Sequence, residues 1–222
     1  MGITERRERE KNERRKNILN CARELILGQG VERVNMEDIA KKAELSKATV
    51  YLYFSSKEAL LNEICEDTAR GFLELLKKLP DSGLKGMAGI KYIWRCYSEL
   101  FGNSDEMIII FKVRSYLNSW LPVVSLEGQN KSSYVEAIIS TVKNFIDECK
   151  AEGIFAPDLD STVATRLLLS MFSVILENAA RIPPEARKSP AVMEGMTNTF
   201  QILIRGFAKE GIEHEKISIK SV

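Results

Sequence analysis

A short stretch of the chain is rich in small, hydroxyl, cationic and aromatic side chains. Four of them occur close together, namely Lys47, Ala48, Thr49 and Tyr51. Lys47, Ala48 and Tyr51 share one face of a predicted short helix, at positions i, i+1 and i+4. Small, hydroxyl and cationic side chains at the N-terminal end of such a helix suit a reader of the DNA major groove. Lys57 adds a cation at the start of the following helix, where backbone N–H groups favour a phosphate.

Two predicted short helices and a tight turn position these side chains. Asn35 and Ser46 are good N-caps for the two helices, and Glu44-Leu45 forms the turn between them. Their apolar side chains can close on the preceding helix: Ile39, Ala40, Leu45, Val50 and Phe54 against Ile18, Ala22 and Leu25. Two short capped helices joined by a turn of three or four residues have the geometry of a helix-turn-helix, here over 35–54.

Residues 15–61 resemble the DNA-binding domain of the tetracycline-repressor-like (TetR/AcrR) transcriptional regulators. The matching positions are Ile18-Leu19-x-x-Ala22-x-x-Leu25, Gly30, Asp38-Ile39-Ala40 and Leu45-Ser46-x-x-Thr49-Val50-Tyr51-x-Tyr53-Phe54-x-x-Lys57-Glu58-x-Leu60. The turn departs from the family pattern, because Glu44 occupies a position that is usually glycine. A left-handed backbone conformation at this position is less favourable for glutamate than for glycine.

The resemblance implies a homodimeric repressor whose C-terminal helices bind a small-molecule inducer and form the dimer interface. It also implies roles for individual side chains. Lys47, Ala48 and Thr49 would face bases or nearby phosphates. Tyr51, Tyr53 and Lys57 would hold the DNA backbone. Asn35 and Ser46 would cap helices or contact phosphates.

The remainder of the chain also reads as helix, because 3.6-residue apolar periods recur and no strand-length alternation occurs. We predict an all-α fold of about nine helices. A three-helix helix-turn-helix DNA-binding domain is expected over 12–72, and a helical ligand-binding and dimerisation domain over 73–222. The later helices are predicted at about 84–101, 104–120, 130–152, 160–182 and 189–211.

Aromatic and methionine side chains are plentiful in the C-terminal helices. Those that together favour an apolar ligand cavity are Trp94, Tyr97, Phe101, Met107, Phe111, Tyr116, Trp120, Phe145, Met171 and Phe172. Small-molecule sites are usually lined in this way, so we expect an apolar or aromatic effector. The alternative for each side chain is ordinary core packing.

Two of the later helices are unusually apolar. The segment 167–176 is apolar almost all round, which is typical of either a central core or a subunit interface. A second stripe lies in the last long helix. Two such helices from each of two chains would form a four-helix dimer interface, with these candidates: Leu168, Phe172, Ile175, Met196, Phe200, Leu203 and Phe207.

Composition excludes several classes of protein. The longest uncharged apolar run is far below the roughly 18 residues that span a bilayer, and no secretory signal begins the chain, so we expect a cytoplasmic protein without a membrane partner. The four cysteines form no Cys-x-x-Cys pair, and the only histidine is His214. We therefore expect no metal site, no cofactor and no enzyme activity.

The net charge of +1 hides a division along the chain. Residues 1–60 hold 13 basic and 10 acidic side chains, whereas residues 61–222 hold 19 and 21. The basic excess accompanies the helix-turn-helix and favours a double-stranded DNA operator as partner. The resulting hypothesis is a ligand-responsive, DNA-binding transcriptional repressor. The alternative is a helical ligand-binding adaptor or carrier without DNA function.

Overall fold

The structure, a computed structural model, describes residues 3–77, 83–103, 105–117, 133–180, 182–187 and 189–219. Its helices are α1 (Ile3–Gln29), α2 (Met36–Lys42), α3 (Lys47–Tyr53), α4 (Lys57–Lys77), α5 (Gly86–Asn103), α6 (Glu106–Tyr116), α7 (Ser133–Ala151), α8 (Ser161–Ala180), α9 (Pro184–Arg187), α10 (Pro190–Phe207) and α11 (His214–Ile217). The all-α class is confirmed. The one-turn helices α9 and α11 were not predicted.

Local capping explains where several helices begin. The Asn35 side chain accepts hydrogen bonds from the N–H groups of Glu37 and Asp38, which fixes the start of α2. Asp160 does the same for α8, and these two hydrogen bonds from backbone N–H groups lower the pKa of its carboxyl. Ser189 caps α10, and Pro190 follows it at the first helical position, as predicted.

The chain forms two compact units, and the first contains more than the N-terminal helices. It comprises the described parts of residues 1–68 and 108–119. Most of α6 therefore belongs to this unit, whereas the sequence prediction had assigned it to a domain over 73–222. The cause is packing, since Ile109, Ile110 and Val113 are buried in the core formed by α1 to α4.

The core of the first unit holds α1 against α4. Ile18, Ile26 and Ile64 are fully buried there. An ion pair of 2.8 Å between Arg23 and Asp67 joins the same two helices. These contacts join α1 to α4, and the short helices α2 and α3 pack in the same core.

The second unit is built from the C-terminal part of α4 with α5, α7, α8 and α10. Its core includes fully buried Ile90, Ile146 and Phe200. The C-terminal segment is tied to α10 by Gln201, whose amide donates to the Ile217 carbonyl and accepts from the Ile219 N–H. No helix in the described ranges is long and apolar enough to cross a membrane.

Candidate DNA-binding site

The N-terminus of α3 is held by Ser46. Its hydroxyl oxygen accepts a hydrogen bond of 3.0 Å from the Thr49 N–H and lies 2.8 Å from the Thr49 hydroxyl oxygen. The N-cap predicted from the sequence is therefore confirmed. The Thr49 hydroxyl is engaged within the helix in this arrangement.

The C-terminus of α3 is held by Arg15, a residue that the sequence placed in the charged N-terminal stretch. Its guanidinium donates to the Tyr53 carbonyl at 3.4 Å, pairs with Glu63 at 3.0 Å and lies 4.6 Å from the centre of the Phe54 ring. One side chain thus connects α1, the end of α3 and α4. Nothing in the local spacing distinguished Arg15 from its exposed neighbours, so sequence reasoning missed it.

The turn between α2 and α3 uses the strained geometry that the sequence suggested. Glu44 has a φ of 56°, the left-handed region. Its N–H donates to the Lys41 carbonyl at 3.2 Å, and the Leu45 N–H donates to the Ala40 carbonyl at 2.9 Å. This is a Schellman closure of α2, in which the left-handed position is normally glycine. Glutamate retains the closure at a conformational cost.

The outward face of α3 follows from its buried face. Val50 is fully buried and Tyr53 is half-buried, so the side chains on the far side of the helix point to solvent. The exposed side chains are Lys47, Ala48, Tyr51 and Leu52. Three of these were predicted from the sequence, and Leu52 was not. Lys47 lies 3.2 Å from Glu37 of α2 in an exposed ion pair, which phosphate contact would displace at little cost.

A concave surface with a volume of about 430 Å³ lies beside α3. It is lined by the start of α2, by α3 and by the start of α4: Asn35, Met36, Glu37, Lys47, Tyr51, Ser55, Ser56, Lys57 and Glu58. The N-termini of α2 and α4 both open onto this surface. A phosphate of the DNA backbone would meet two helix N-termini here, where Asn35 already accepts from the Glu37 and Asp38 N–H groups and Ser56 from the Ala59 N–H.

Lys57 lies at this surface, but its ammonium is bound within the unit. Its Nζ donates to the Val31 carbonyl at 2.7 Å and lies 4.4 Å from the centre of the Tyr116 ring of α6. Lys112 of α6 similarly reaches the Leu27 carbonyl at the end of α1, at 3.3 Å. The phosphate contact inferred for Lys57 stays a prediction and requires this side chain to swing outward.

The first turns of α1 form a helix with exposed, paired charges. Arg6 lies 2.9 Å from Glu10, and Arg9 lies 3.7 Å from Glu13, each at i,i+4. Such pairs support an exposed helix by only about 0.3–0.5 kcal/mol each. The stretch is therefore a solvated helical face in this structure.

The aromatic and methionine side chains proposed for a ligand cavity lie in different parts of the structure. Trp94, Tyr97, Phe145 and Phe172 lie in the core of the second unit, and Met171 is half-buried on α8. Phe111 and Tyr116 belong to the first unit, where Tyr116 packs on its core. The side chains of Phe101 and Met107, and Trp120 altogether, lie outside the described residues.

Four rings of the second unit are stacked. Trp94 and Phe200 have centroids 4.6 Å apart, and Tyr97 and Phe172 have centroids 4.2 Å apart, with interplanar angles of 12° and 17°. The Tyr97 hydroxyl donates to the Phe172 carbonyl, and burial raises its pKa well above the ordinary value. These rings are packed against one another, as the core-packing alternative had them.

The interface candidates on α8 and α10 are mostly used by the chain's own core. The buried ones are Leu168, Phe172, Ile175, Met196, Phe200 and Phe207, and Leu203 is half-buried against them. Among the described side chains of these helices, the large apolar ones that remain exposed are Val163, Leu167, Val174 and Ile202. On each helix, the face open to a partner is therefore the one opposite the buried interface candidates. The sequence could not distinguish the two faces, because α8 is apolar almost all round.

The described residues hold neither a disulfide nor a candidate metal site. Cys21, Cys96 and Cys149 are buried, and none of the four cysteines forms a disulfide. Burial raises the pKa of Cys149 to about 12, so that thiol is protonated at neutral pH. No group of three metal-ligating side chains occurs in the described part of the chain.

Comparisons with known proteins agree with this geometry. The family model for "Bacterial regulatory proteins, tetR family" matches residues 18–64. YvdT of Bacillus subtilis (strain 168), an uncharacterized HTH-type transcriptional regulator, is 42% identical over 60 residues, which cover 27% of this chain and 31% of that protein. The HTH-type transcriptional repressor KstR2 of Mycolicibacterium smegmatis is 22% identical over 156 residues, which cover 70% of this chain and 74% of that protein.

The fold as a whole has solved counterparts. The crystal structure of the transcriptional regulator FadR from Bacillus subtilis, in complex with stearoyl-CoA, superposes with a TM-score of 0.65 over 89% of this chain and 99% of that one. At 16% identity this likeness shows a shared fold. A helix-turn-helix followed by a helical domain, with these relatives, defines a transcriptional regulator and not an enzyme. Residues 18–64 form a DNA-binding domain of the tetR family of bacterial regulatory proteins.

Replacing Glu44 by glycine should stabilise the protein by about 1 kcal/mol, because glycine adopts a positive φ without the steric cost borne by glutamate. Chemical denaturation of the wild type and Glu44→Gly measures the difference. Glu44→Ala is the matched control, since it removes the same charge and keeps the strain. An equal gain for both variants would show that charge, not backbone conformation, limits stability at the turn.

Proposed function

We propose that this regulator is a homodimeric repressor that binds a palindromic operator and is released by a small apolar or aromatic effector. The observation that carries the proposal is that contacts at both ends and along one side hold α3 in a fixed orientation. Ser46 and Arg15 hold its two ends and Val50 its inner face, so a fixed outward face is available to the major groove.

On operator DNA, α3 would lie in the major groove with its first turn towards the bases. Lys47, Ala48 and Thr49 would meet base edges or adjacent phosphates. Tyr51 and Tyr53 would position the DNA backbone. Asn35 and Lys57 line the concave surface beside α3 and Ser46 caps α3 itself, and each would contact a phosphate of the DNA backbone.

A dimer would place two such helices on successive turns of one face of DNA. The proposed interface is the exposed apolar stripe of α8 and α10. Val163, Leu167 and Val174 recur at i, i+4 and i+11 on α8, and Ile202 is 70% exposed on α10. Exposed apolar side chains clustered at helical spacing mark a protein-protein surface more often than a solvated one. The symmetry of this pairing matches a palindrome.

The effector would act through α6, which belongs to the DNA-binding unit. Its contacts with that unit are the buried side chains Ile109, Ile110 and Val113, with Lys112 at the end of α1. A ligand that binds one position of α6 better than another shifts the population of DNA-competent dimers. Support for an apolar effector comes from the FadR structure, which shares this fold and holds stearoyl-CoA. We place the activity in the cytoplasm, with the chromosome.

The test of DNA binding is a gel shift with DNA from upstream of the protein's own gene. The wild type should form a sequence-specific complex that weakens steeply with salt. Tyr51→Ala should weaken that complex by about tenfold or more while the dimer remains intact in light scattering. Tyr51→Phe, which keeps the ring, distinguishes loss of the hydroxyl from loss of the stacking surface.

Two outcomes of the gel shift would contradict the proposal. A wild-type protein that forms no salt-sensitive, sequence-specific complex at near-physiological salt would favour the adaptor or carrier. Full affinity of Tyr51→Ala would show that α3 does not enter the major groove as proposed.

The dimer interface is tested by placing a charge on its exposed stripe. Ile202→Glu should shift the protein from dimer to monomer, because it buries an unpaired carboxylate at the interface. Multi-angle light scattering across a concentration series measures the change. Asn144→Glu adds the same charge to an exposed position of α7 and should leave the dimer unchanged. A dimer that survives Ile202→Glu with unaltered affinity places the interface elsewhere.

A further inference from the structure

Leu52 is the most exposed large apolar side chain in the described part of the chain. Its side chain is 85% exposed, compared with 45% for its neighbour Tyr51. Apart from Tyr51, the other exposed large apolar residues among those described lie on α8 and α10, in the second unit, where the proposed dimer interface accounts for them. Leu52 lies on α3 of the first unit, and neither the core nor that interface uses it.

The position of Leu52 on α3 is set by the buried side of the helix. Successive residues of an α-helix are 100° apart, so Leu52 lies about 160° from buried Val50. It follows Ala48 by four residues, and both are exposed. Lys47 and Tyr51 form the adjacent edge of the same outward face. The face therefore has a polar edge and an apolar edge.

The apolar edge fits one feature of the major groove. Thymine alone among the four bases presents a methyl group there, and apolar side chains are its usual contacts. The α3 segment, Lys-Ala-Thr-Val-Tyr-Leu-Tyr, has no acidic residue that would repel DNA. Binding would bury Leu52 in the groove and remove its apolar surface from water.

We propose that Leu52 reads the 5-methyl group of a thymine in each operator half-site. The proposal rests on the proposed function, since it requires α3 to enter the major groove. It adds a base preference that hydrogen bonding from Lys47 and Thr49 does not supply. The contact is apolar, so it discriminates bases without a donor or an acceptor.

The test replaces thymine by deoxyuridine, which differs only by the missing methyl group. Full-length protein is titrated against its operator duplex, and each thymine of a half-site is replaced in turn, with its symmetry mate. For the wild type, one position should lose about fourfold in affinity per half-site, the value for one buried methyl group. Leu52→Ala should bind thymine DNA more weakly and show no loss at that position.

Two further variants are matched controls for Leu52→Ala. Leu52→Met keeps an apolar side chain of similar size and should retain the sensitivity to the methyl group. Ala48→Gly tests the other apolar residue and should keep the loss at the position read by Leu52. Circular dichroism confirms that each exposed substitution leaves the helices intact.

The outcomes separate this inference from the proposed function. A specific wild-type complex that is indifferent to every thymine methyl would overturn the inference alone. The same would follow if Leu52→Ala and the wild type lost affinity at the same deoxyuridine position by the same factor. A wild type that forms no specific complex would overturn the proposed function and this inference together.

Discussion

A helix of seven residues is too short to keep its shape in water, so α3 depends on the unit that holds it. Its stability comes from tertiary contacts at both ends and along one side. Ser46 accepts from the Thr49 N–H at the start, Arg15 binds the Tyr53 carbonyl at the end, and Val50 is buried in the core of the unit. These contacts fix which side chains face outward, and the proposed reading of DNA depends on that face.

The same unit contains the element through which a ligand would act. Helix α6 contributes Ile109, Ile110 and Val113 to the core that mounts α3. Tyr116 of α6 also lies beneath the ammonium of Lys57, a cation inferred to contact DNA phosphate. A change in α6 therefore alters the packing of the DNA-binding unit directly. Such a link is a physical basis for effector control of DNA affinity.

Local signals in the sequence were sufficient for the helix-turn-helix. The side chains of Asn35 and Ser46 cap helices by accepting hydrogen bonds from backbone N–H groups within three residues of each. The strain at Glu44 follows from its place in a tight turn. These features do not depend on the rest of the fold. The exposure of Leu52 was not predicted, although it follows from the buried position of Val50 on the same short helix.

Features that depend on distant packing could not be predicted in the same way. Arg15 is one of several arginines in a charged stretch, and only the fold brings it to Tyr53, Phe54 and Glu63. The membership of α6 in the first unit depends on which core its isoleucines reach. The apolar faces of α8 were ambiguous for a similar reason, since periodicity cannot say which side of a helix meets its own core.

The central claim is that tertiary contacts, and above all Arg15, hold α3 in its DNA-reading orientation. Amide hydrogen exchange of α3 in Arg15→Gln tests this most directly, with Arg14→Gln as the control because it removes an equal charge from an exposed neighbour. The account predicts faster exchange at the Val50 and Phe54 amides, together with weaker operator binding, in Arg15→Gln alone. Equal exchange rates in α3 for both variants and the wild type would contradict it.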